Sequence, residues 1–287
     1  MKVISVTVLY NPGIEVYNNF LSYYSKVDKA IVFDNSDVPL EEITSKFKEL
    51  PECIYISYGV NTGIAKALNI AVEKACDLGF EWMLLMDQDS YFDTNQFEKY
   101  LFCLRNLLVC NDFGVIGPSV EKKLYSEVSE CQVHDAPHVI TSGSLISLKA
   151  CKKIGLFDEK LFIDEVDTDF CYRLRLNNFR VLMLRSVLMN HALGKNLIVR
   201  NWHVGPKVER NIHQPIRIYY IVRNFLYTYN QYKKYFPQEM RANKKVTINR
   251  VKNSFLYSGQ GFKVIYFTIK GIRDYYRDEF GKLKIKK

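Results

Sequence analysis

The 287-residue sequence lacks a hydrophobic run long enough to cross a membrane. Its longest apolar stretches, such as Trp82–Met86, fall far short of the roughly 18 residues that a transmembrane helix needs. The first residues run directly into a strand pattern without a small-residue cleavage site, so we expect no signal peptide. Internal repeats and low-complexity linkers are also missing. With 48% hydrophobic and 25% charged residues, the composition is that of an ordinary globular protein.

The seven cysteines do not follow the pattern of a disulfide-rich or zinc-binding protein. Their number is odd, and no two of them form a Cys-x-x-Cys pair. We therefore expect buried thiols in a reducing cytoplasm, with neither a disulfide framework nor a zinc site.

The glycine-rich signatures of several nucleotide-binding proteins are absent as well. Residues 61–69 (NTGIAKALN) follow a strand and open a helix, but they match neither Gly-x-Gly-x-x-Gly nor a Gly-Lys-Ser/Thr phosphate loop. The glycine-rich loop that nucleotidyltransferases carry near the N-terminus is missing after Tyr10. A single Gly63 at a helix start either lets backbone amides approach a phosphate or sugar, or simply begins the helix.

Short β-rich runs and helical patterns alternate through the first 190 residues or so. The predicted strands are Val3–Leu9, Ala30–Phe33, Cys53–Ser57, Trp82–Met86, Phe113–Ile116 and Val181–Leu188; the predicted helices are Val16–Lys26, Leu40–Glu49, Gly63–Leu78 and Thr94–Val109. This alternation predicts an α/β domain with a mostly parallel sheet and helices on both faces.

Polar residues follow three of these strands where each strand ends. They are Tyr10, Asp34 and the pair Asp87 and Asp89. Loops at the carboxyl ends of parallel strands form the binding crevice of such a sheet, so we expect these residues to gather at one edge. Two carboxylates one residue apart are suited to hold a hard divalent cation with the phosphates of a nucleotide. The alternative is a pair of loop acids that cap a strand or a helix.

A second polar segment, residues 155–175, is rich in acidic residues. Six acids fall within twelve positions: Asp158, Glu159, Asp164, Glu165, Asp167 and Asp169. A carboxylate near the start of the helix predicted from about Asp167 could act as a general base towards a hydroxyl nucleophile. The alternative is a set of capping acids paired with Arg173 and Arg175. Downstream, His191 is either a surface or packed residue or a nitrogen ligand that favours Mn²⁺ or Mg²⁺.

The net charge of +9 is unevenly distributed. Residues 200–287 hold 20 of the 40 Lys and Arg residues but 5 of the 31 Asp and Glu residues. This region contains two amphipathic helical patterns, Pro215–Phe236 and Gln260–Phe280, which are dense in tyrosine. A basic, aromatic tail on an acidic body suggests an anionic partner, either nucleic acid or a membrane surface. The chain has no RNA- or DNA-binding motif, which argues against nucleic acid. A helical pair packed on the domain, or at a dimer interface, is the alternative.

Taken in order, these segments resemble the inverting GT-A glycosyltransferases of family 2, and among them the bacterial rhamnosyltransferases that build O-antigens and other surface polysaccharides. The resemblance covers about residues 3–225. It rests on residues 7–12 (TVLYNP), 32–36 (VFDNS), 61–69 (NTGIAKALN), 87–90 (DQDS), 143–147 (GSLIS), 157–173 (FDEKLFIDEVDTDFCYR), 190–194 (NHALG) and 217–224 (RIYYIVRN). It implies a GT-A fold, a Rossmann-like mixed sheet flanked by helices, over residues 1–200, with a basic helical extension over residues 201–287.

The resemblance also implies roles for single residues. Tyr10 and Asp34 would line the nucleotide-base pocket, Asn61 and Gly63 would shape the donor site, and Asp87 and Asp89 would hold a Mn²⁺ or Mg²⁺ diphosphate with His191 nearby. Asp167 would be the catalytic base. The family commonly has Glu-Asp there and this chain has Val166-Asp167, so Glu165 and Asp169 are rival candidates. Ser144 and Arg223 are candidates for contacts with the acceptor or a phosphate.

The activity that follows from the resemblance is metal-dependent, inverting transfer of a sugar to a hydroxyl group. The expected donor is dTDP-β-L-rhamnose, and the expected acceptor is a polyprenyl-diphosphate-linked oligosaccharide. The protein would then be cytoplasmic and peripheral on the inner leaflet of the cell membrane, with a homodimer as an alternative use of the tail. Transfer of galactofuranose or another sugar, and a nucleotide-sugar or glycan binding protein without catalysis, are alternative functions.

Overall fold

The computed structural model describes residues 2–107, 112–120, 122, 125–128, 130–191, 196–200 and 207–284. The chain forms two compact units. Unit 1 contains residues 1–159 and 166–191, and unit 2 contains residues 160–165 and 192–287. The observed division therefore differs from the expected boundary after residue 200. In particular, the short segment 160–165 belongs to unit 2, because its backbone is bonded to a helix of that unit.

Strands and helices alternate in unit 1 as predicted. Its strands are β1 (Val3–Leu9), β2 (Lys29–Asp34), β3 (Cys53–Ser57), β4 (Trp82–Asp87), β5 (Ser90–Tyr91), β6 (Phe113–Ser119), β7 (Val133–Asp135), β8 (Leu145–Ser147), β9 (Arg180–Leu188) and β10 (Asn190–His191). Its helices are α1 (Glu15–Tyr24), α2 (Glu41–Lys48), α3 (Ile64–Asp77), α4 (Thr94–Leu107), α5 (Leu148–Ile154) and α6 (Val166–Leu176). The ends of the predicted elements differ by up to three residues, and positions 108 and 109 of one predicted helix lie outside the described residues.

Eight strands form the central sheet in the order β3-β2-β1-β4-β8-β6-β9-β7. Strands β1 to β4 are parallel to one another, whereas β8 runs antiparallel to both β4 and β6. The sheet is therefore mixed, in agreement with the expected fold class. The chain builds outward from β1 to β3 and then returns to the other side of β1 with β4. Such a reversal opens a crevice at the carboxyl ends of the two strands.

Helices cover both faces of this sheet. On one face the core contains the strand residues Val3, Val32, Leu84 and Met86, together with Phe20 of α1, Phe47 of α2 and Phe97 of α4. Successive side chains of a strand point to opposite faces, so Ile4 and Val6 of β1 face the other layer, where α3 packs against β1 and β2. The buried strands carry few polar side chains because neither face meets water.

Unit 2 consists of a hairpin and three helices among its described residues. They are β11 (Asn196–Arg200), β12 (Lys207–Asn211), α7 (Pro215–Tyr232), α8 (Pro237–Tyr257) and α9 (Gly261–Tyr276). The two predicted helices of the tail correspond to α7 and α9, whereas α8 was not predicted because it lacks a clear apolar stripe. Helices α7 and α9 approach closely at Gly271, where a Cβ atom would lie 2.8 Å from the carbonyl oxygen of Tyr219.

The expectation about cysteines was wrong in one respect. Cys103 of α4 and Cys131, which precedes β7, form a disulfide bond. They are 28 residues apart in the sequence, and the fold brings their Cα atoms to 5.6 Å, a separation that spacing alone does not reveal. The described free thiols are Cys53, Cys76, Cys151 and Cys171, and burial raises the pKa of Cys151 and of Cys171 to about 12. Cys110 lies outside the described residues.

Candidate active site

The register of the parallel strands gathers the polar strand ends at one edge of the sheet. Leu9 pairs with Asp34, Asp34 pairs with Ser57, and Val8 pairs with Asp87. The ends of β1, β2, β3 and β4 are therefore level with one another. This arrangement confirms the expectation that the polar residues after these strands share one edge.

Gln88, to which the sequence analysis gave no role, ties the ends of β1 and β4 together. Its side-chain oxygen accepts the backbone N–H of Tyr10 at 2.8 Å, and its side-chain nitrogen donates to the carbonyl oxygen of Tyr10 at 3.3 Å. Asn19 of α1 donates to the carbonyl oxygen of Gln88 at 3.0 Å. The ring of Tyr10 is about half exposed, at 47%. Gln88, the middle residue of the Asp-x-Asp segment, thus fixes the backbone of Tyr10, whose aromatic ring is exposed.

Asp34 lies at the end of β2 and is almost fully buried. One carboxylate oxygen accepts the N–H of Ser36 at 2.9 Å, and the other accepts the hydroxyl of Tyr55 at 2.7 Å. Burial, together with the neighbouring Asp34, raises the pKa of Tyr55 to about 12, so this hydroxyl stays a donor at neutral pH. Asp34 therefore fixes the loop that follows β2. Each of its carboxylate oxygens can accept a further hydrogen bond, and a contact with a nucleotide base would use one of these.

The loop before α3 is organised by its own polar side chains. Asn61 accepts the N–H of Gly63 at 2.9 Å through its side-chain oxygen, and its backbone N–H donates to Asp37 at 3.0 Å. Asn35, next to Asp34, accepts the N–H of Thr62 at 2.7 Å. Gly63 has a φ of +89°, which other residues adopt only with strain. The predicted donor-site residues Asn61 and Gly63 thus belong to a loop fixed to the segment after β2.

Asp87, Asp89 and His191 come together at the end of β4. The short strands β5 and β10 pair so that His191 lies opposite Ser90, although the two are 101 residues apart in the sequence. Each of the three side chains offers one ligand atom, and these atoms all lie within 4.8 Å of one another. Two carboxylate oxygens and an imidazole nitrogen at this spacing fit Mn²⁺ or Mg²⁺. The predicted ligand group is therefore assembled in one place.

The electrostatics of His191 reflect this neighbourhood. Its Nδ1 lies 2.6 Å from the hydroxyl oxygen of Ser90 and 3.4 Å from a carboxylate oxygen of Asp89. Burial by itself lowers the pKa of His191, but the hydrogen bond to Asp89 and the charges of Asp87 and Asp89 outweigh it and raise the pKa above its usual value. The backbone N–H of Asp87 donates to Ser142 at 3.0 Å. The site therefore concentrates negative charge on a fixed backbone.

Asp167 lies in the first turn of α6, where the helix dipole stabilises a negative charge. One of its oxygens accepts the N–H of Thr168 at 2.8 Å. Its side chain lines a small cavity together with Leu85 of β4, two residues before Asp87, and with Ser144. Ser144 is buried, and its hydroxyl donates to the carbonyl oxygen of Ile140 at 2.6 Å. Asp167 is thus partly accessible at a cavity of unit 1, while the Ser144 hydroxyl is already bonded.

The two rivals of Asp167 have different surroundings. Asp169 is 1% exposed and forms an ion pair with Arg173 at 2.8 Å. This is the pairing that the alternative interpretation of the acidic segment expected. Glu165 belongs to unit 2 and accepts the hydroxyl of Thr228 at 3.1 Å. Arg223 is fully buried in unit 2, where its guanidinium donates to backbone carbonyl oxygens. These contacts do not fit the proposed role of Arg223 as a contact for acceptor or phosphate.

Comparison with known sequences agrees with this geometry. The sequence model of the family described as Glycosyl transferase family 2 matches residues 14–130, which include β2, α3 and Asp87-Gln88-Asp89. The dTDP-rhamnosyl transferase RfbF of Shigella flexneri is 26% identical over 296 aligned positions, which cover 95% of this chain and 96% of that protein. Residues 14–130 carry a family 2 glycosyltransferase domain, and the protein is a glycosyltransferase. The glycosyltransferase is thus similar to RfbF along nearly its whole length, including unit 2.

Solved structures show the same fold at low sequence identity. S. aureus TarS 1–349 in complex with UDP-GlcNAc has a TM-score of 0.59 and 16% identity, covering 96% of the glycosyltransferase and 81% of that chain. GalNAc-T7 with UDP, GalNAc and Mn²⁺ has a TM-score of 0.55 and 12% identity over 67% of the glycosyltransferase. The glycosyltransferase spans 44% of that GalNAc-T7 chain and 49% of the longer S. aureus TarS chain. At these identities the likeness concerns the fold, which is the expected GT-A arrangement.

Proposed function

We propose that the glycosyltransferase transfers L-rhamnose from dTDP-β-L-rhamnose to a hydroxyl of a polyprenyl-diphosphate-linked oligosaccharide, in a metal-dependent reaction that inverts the anomeric centre. The observation that carries the proposal is the convergence of Asp87, Asp89 and His191 at the carboxyl end of β4. The similarity to a dTDP-rhamnosyl transferase supports the choice of donor. UDP and Mn²⁺ in the GalNAc-T7 structure support a nucleotide diphosphate and a divalent cation.

In this proposal the sheet edge binds the donor. Tyr10 and the loop fixed by Asp34 receive the base, and the loop of Asn61 and Gly63 receives the sugar nucleotide beside the start of α3. Asp87, Asp89 and His191 would hold the cation. A divalent cation bound there would stabilise the negative charge that develops on the leaving diphosphate.

Asp167 is the proposed base. Its carboxylate would accept the proton of the acceptor hydroxyl while that oxygen attacks the anomeric carbon from the side opposite the diphosphate. One displacement of this kind inverts the configuration, so a β-linked donor gives an α-L-rhamnoside. Its surroundings favour Asp167 over Asp169, because Asp169 is buried in an ion pair whereas Asp167 is partly exposed at a cavity.

The test compares Asp167→Asn with wild type and with Asp77→Asn, a control at an exposed carboxylate at the end of α3. We expect Asp167→Asn to lower the turnover number about 10²- to 10⁴-fold, because general-base catalysis contributes an effect of this size. Binding of dTDP-rhamnose, measured by calorimetry with Mn²⁺, should be retained. Turnover is measured as nucleoside diphosphate released in the presence of acceptor. A wild-type rate in Asp167→Asn would show that the base is assigned wrongly.

A panel of nucleotide sugars tests the donor. We expect dTDP-rhamnose with Mn²⁺ or Mg²⁺ to raise the thermal unfolding midpoint more than UDP-galactofuranose or UDP-GlcNAc, since a bound ligand stabilises the folded state. A larger shift with another sugar would replace rhamnose in the proposal. Donor binding without product formation from any acceptor would instead favour a binding protein without catalysis.

We also propose that α9 contacts an anionic membrane surface. One face of this helix carries exposed apolar side chains at helical spacing: Phe262 (92% exposed), Ile265, Tyr266 (61%), Ile269 (61%), Ile272 and Tyr276 (78%). Exposed basic residues flank it, among them Lys263 and Arg277. This combination is typical of helices that lie in the interface of anionic bilayers. Among the described residues, no helix has the length and apolar character to span a membrane.

Vesicle flotation tests this surface. The protein should float with phosphatidylglycerol-containing vesicles and stay in the soluble fraction with phosphatidylcholine alone. The double variant Phe262→Ser/Ile269→Ser should lose flotation, whereas Phe102→Ser, at an exposed phenylalanine of α4, should keep it. If the double variant floats normally but changes from dimer to monomer in sedimentation, the face is a dimer interface and the lipid proposal is wrong.

A further inference from the structure

Residues 160–165 form a strained turn directly before α6. Phe162, Asp164 and Glu165 have φ values of +61°, +63° and +65°, in the left-handed region that residues with a Cβ atom rarely adopt. Three such residues among four consecutive positions persist only where the surrounding contacts fix them, and strained backbone of this kind is concentrated at functional sites. The contacts that fix this turn therefore indicate which function its strained backbone supports.

Asn224 of α7 holds the backbone of the turn. Its side-chain nitrogen lies 2.6 Å from the carbonyl oxygen of Leu161, 2.7 Å from that of Ile163 and 3.1 Å from that of Asp164. Its side-chain oxygen accepts the Nε–H of Arg223 at 3.0 Å, which fixes the orientation of the amide. Asn224 is fully buried, so these carbonyl oxygens have no ready substitute from water.

Arg223 holds the start of the same turn and also bonds to Gly281 near the C-terminus. Its guanidinium donates to the carbonyl oxygen of Lys160 at 3.2 Å and to that of Gly281 at 2.9 Å. The backbone N–H of Gly281 in turn donates to the carbonyl oxygen of Lys160 at 2.9 Å. Tyr219 accepts from Arg223 at 3.1 Å and donates to the buried carboxylate of Asp274 at 3.0 Å. A fully buried arginine is thus directed at protein carbonyls, and Tyr219 links it to a buried carboxylate.

Side chains of α7 also hold the side chains of the turn. Phe162 stacks on Tyr220 with ring centroids 5.3 Å apart. Arg217 makes two hydrogen bonds to the carboxylate of Asp164, at 3.1 and 3.3 Å. Thr228 donates to Glu165 at 3.1 Å. Main-chain and side-chain groups of the turn are therefore held by one helix.

We propose that Arg223 and Asn224 are positioning residues for the catalytic base. The connection is covalent: Glu165 is followed by Val166, the first residue of α6, and then by Asp167. Only Val166 separates the turn from Asp167, and it is not a glycine. The backbone conformation of the turn therefore determines the position of the Asp167 backbone, from which the carboxylate projects. A displacement of about 1 Å at a reacting group can cost about 10²-fold in rate. This inference rests on the proposed role of Asp167.

The test is a double-mutant cycle in the full-length protein. We expect Asn224→Ala to lower the turnover number about 10- to 100-fold while the KM for dTDP-rhamnose changes less than about twofold. In the Asp167→Asn background, Asn224→Ala should change the residual rate less than about twofold, because its effect acts through Asp167. Val264→Ala is the control, since Val264 of α9 is buried with residues of α7 in a hydrophobic cluster that includes no residue of the turn. It should lower the unfolding midpoint and leave turnover unchanged.

The outcomes separate this proposal from the function on which it rests. A wild-type turnover number in Asn224→Ala would overturn the positioning role. So would a double variant whose rate loss is the product of the two single losses, because the two residues would then act independently. Both outcomes leave the base assignment intact. Full activity of Asp167→Asn alone would overturn the base and the positioning role together. If Asn224→Ala does not fold, Thr228→Val is measured in its place. This substitution removes the hydrogen bond from the Thr228 hydroxyl to Glu165 at nearly constant side-chain volume. A several-fold loss of turnover at unchanged KM supports the proposal, and unchanged turnover contradicts it.

Discussion

Two clusters of charged and polar residues in this protein have opposite surroundings. The sheet-edge cluster, Asp87, Asp89 and His191, contains two carboxylates that meet within 4.8 Å of an imidazole, and the side chain of Asp89 is 47% exposed. The α7 cluster consists of Tyr219, Arg223 and Asn224 of α7 together with Asp274 of α9, and each is at most 2% exposed. The sheet-edge cluster has more hydrogen-bond acceptors than donors and is partly exposed to solvent, whereas the donors of the α7 cluster bond mainly to carbonyl oxygens of the protein.

The difference shows how burial separates ligand-binding from structural polar groups. Asp274 illustrates the buried case. Burial alone raises its pKa, but hydrogen bonds from Lys270, Tyr219 and Arg273 outweigh it and lower the pKa. A carboxylate with three protein donors has little capacity left for a ligand. The carboxylate of Asp89, in contrast, is open to a cation, so the two clusters should respond differently to substitution.

The largest expected effect concerns the sheet-edge cluster. Asp89→Asn should lower the rate of nucleoside diphosphate release by about 10³-fold, equivalent to about 4 kcal/mol, because the proposed metal site loses a charged ligand. The unfolding midpoint without metal should stay within about 2 °C, since Asp89 is half-exposed. The exposed carboxylate variant Glu98→Gln is the control for both measurements. Normal activity of Asp89→Asn at saturating Mn²⁺ would remove Asp89 from the metal site.

Substitution of Arg223 in the α7 cluster should lower stability. Arg223→Met should lower the free energy of unfolding by about 3 to 5 kcal/mol, because Asn224 and several buried carbonyl oxygens lose their donor. Urea unfolding, followed by circular dichroism, measures the change. Arg277→Met, at an exposed arginine at the end of α9, should change it by less than about 0.5 kcal/mol. Equal stability of the two variants would mean that the buried arginine is dispensable for the fold of unit 2.

A smaller effect is expected at His191. Replacing it by glutamine should raise the Mn²⁺ concentration for half-maximal activity about tenfold, or about 1.4 kcal/mol, since His191 is a proposed ligand and the loss of an imidazole at a metal site has an effect of this order. Titrating activity with Mn²⁺ measures the change. His134→Gln, at an exposed histidine of β7, is the control. An unchanged Mn²⁺ requirement would make His191 a packing residue bonded to Ser90.

The smallest effect concerns His213 in unit 2. Burial and the positive charges of Arg217 and Arg250 lower the pKa of His213 to about 4. The unfolded chain protonates this histidine below about pH 6.5, so its contribution to stability is complete above that pH and is lost as the pH falls towards 4. Between pH 7 and pH 5 the loss should be about 1 kcal/mol, since His213 keeps some exposure to solvent. Urea unfolding at both pH values should show a smaller loss in His213→Gln. An identical loss would contradict the pKa assignment.

Much of the fold could be predicted from local patterns. The β1 and β3 boundaries agree with the structure residue by residue, because apolar β-branched runs bounded by polar residues specify buried strands. The short strands β5 and β10 could not be predicted, because two-residue strands exist only through their pairing with each other. The disulfide of Cys103 and Cys131 was missed for a related reason, since the fold alone brings two distant cysteines together.

The sequence by itself determined the alternation of strands and helices, the polar residues at the strand ends and the charge difference between the body and the tail. These are properties of neighbouring residues and of composition, so they need no knowledge of distant contacts. The tertiary structure decided which charged residues face solvent and which are enclosed. His191 joins Asp89 through the pairing of β5 with β10, whereas Arg223 is enclosed by the turn of residues 160–165. Both outcomes depend on contacts between residues more than 60 positions apart, which a local pattern does not contain.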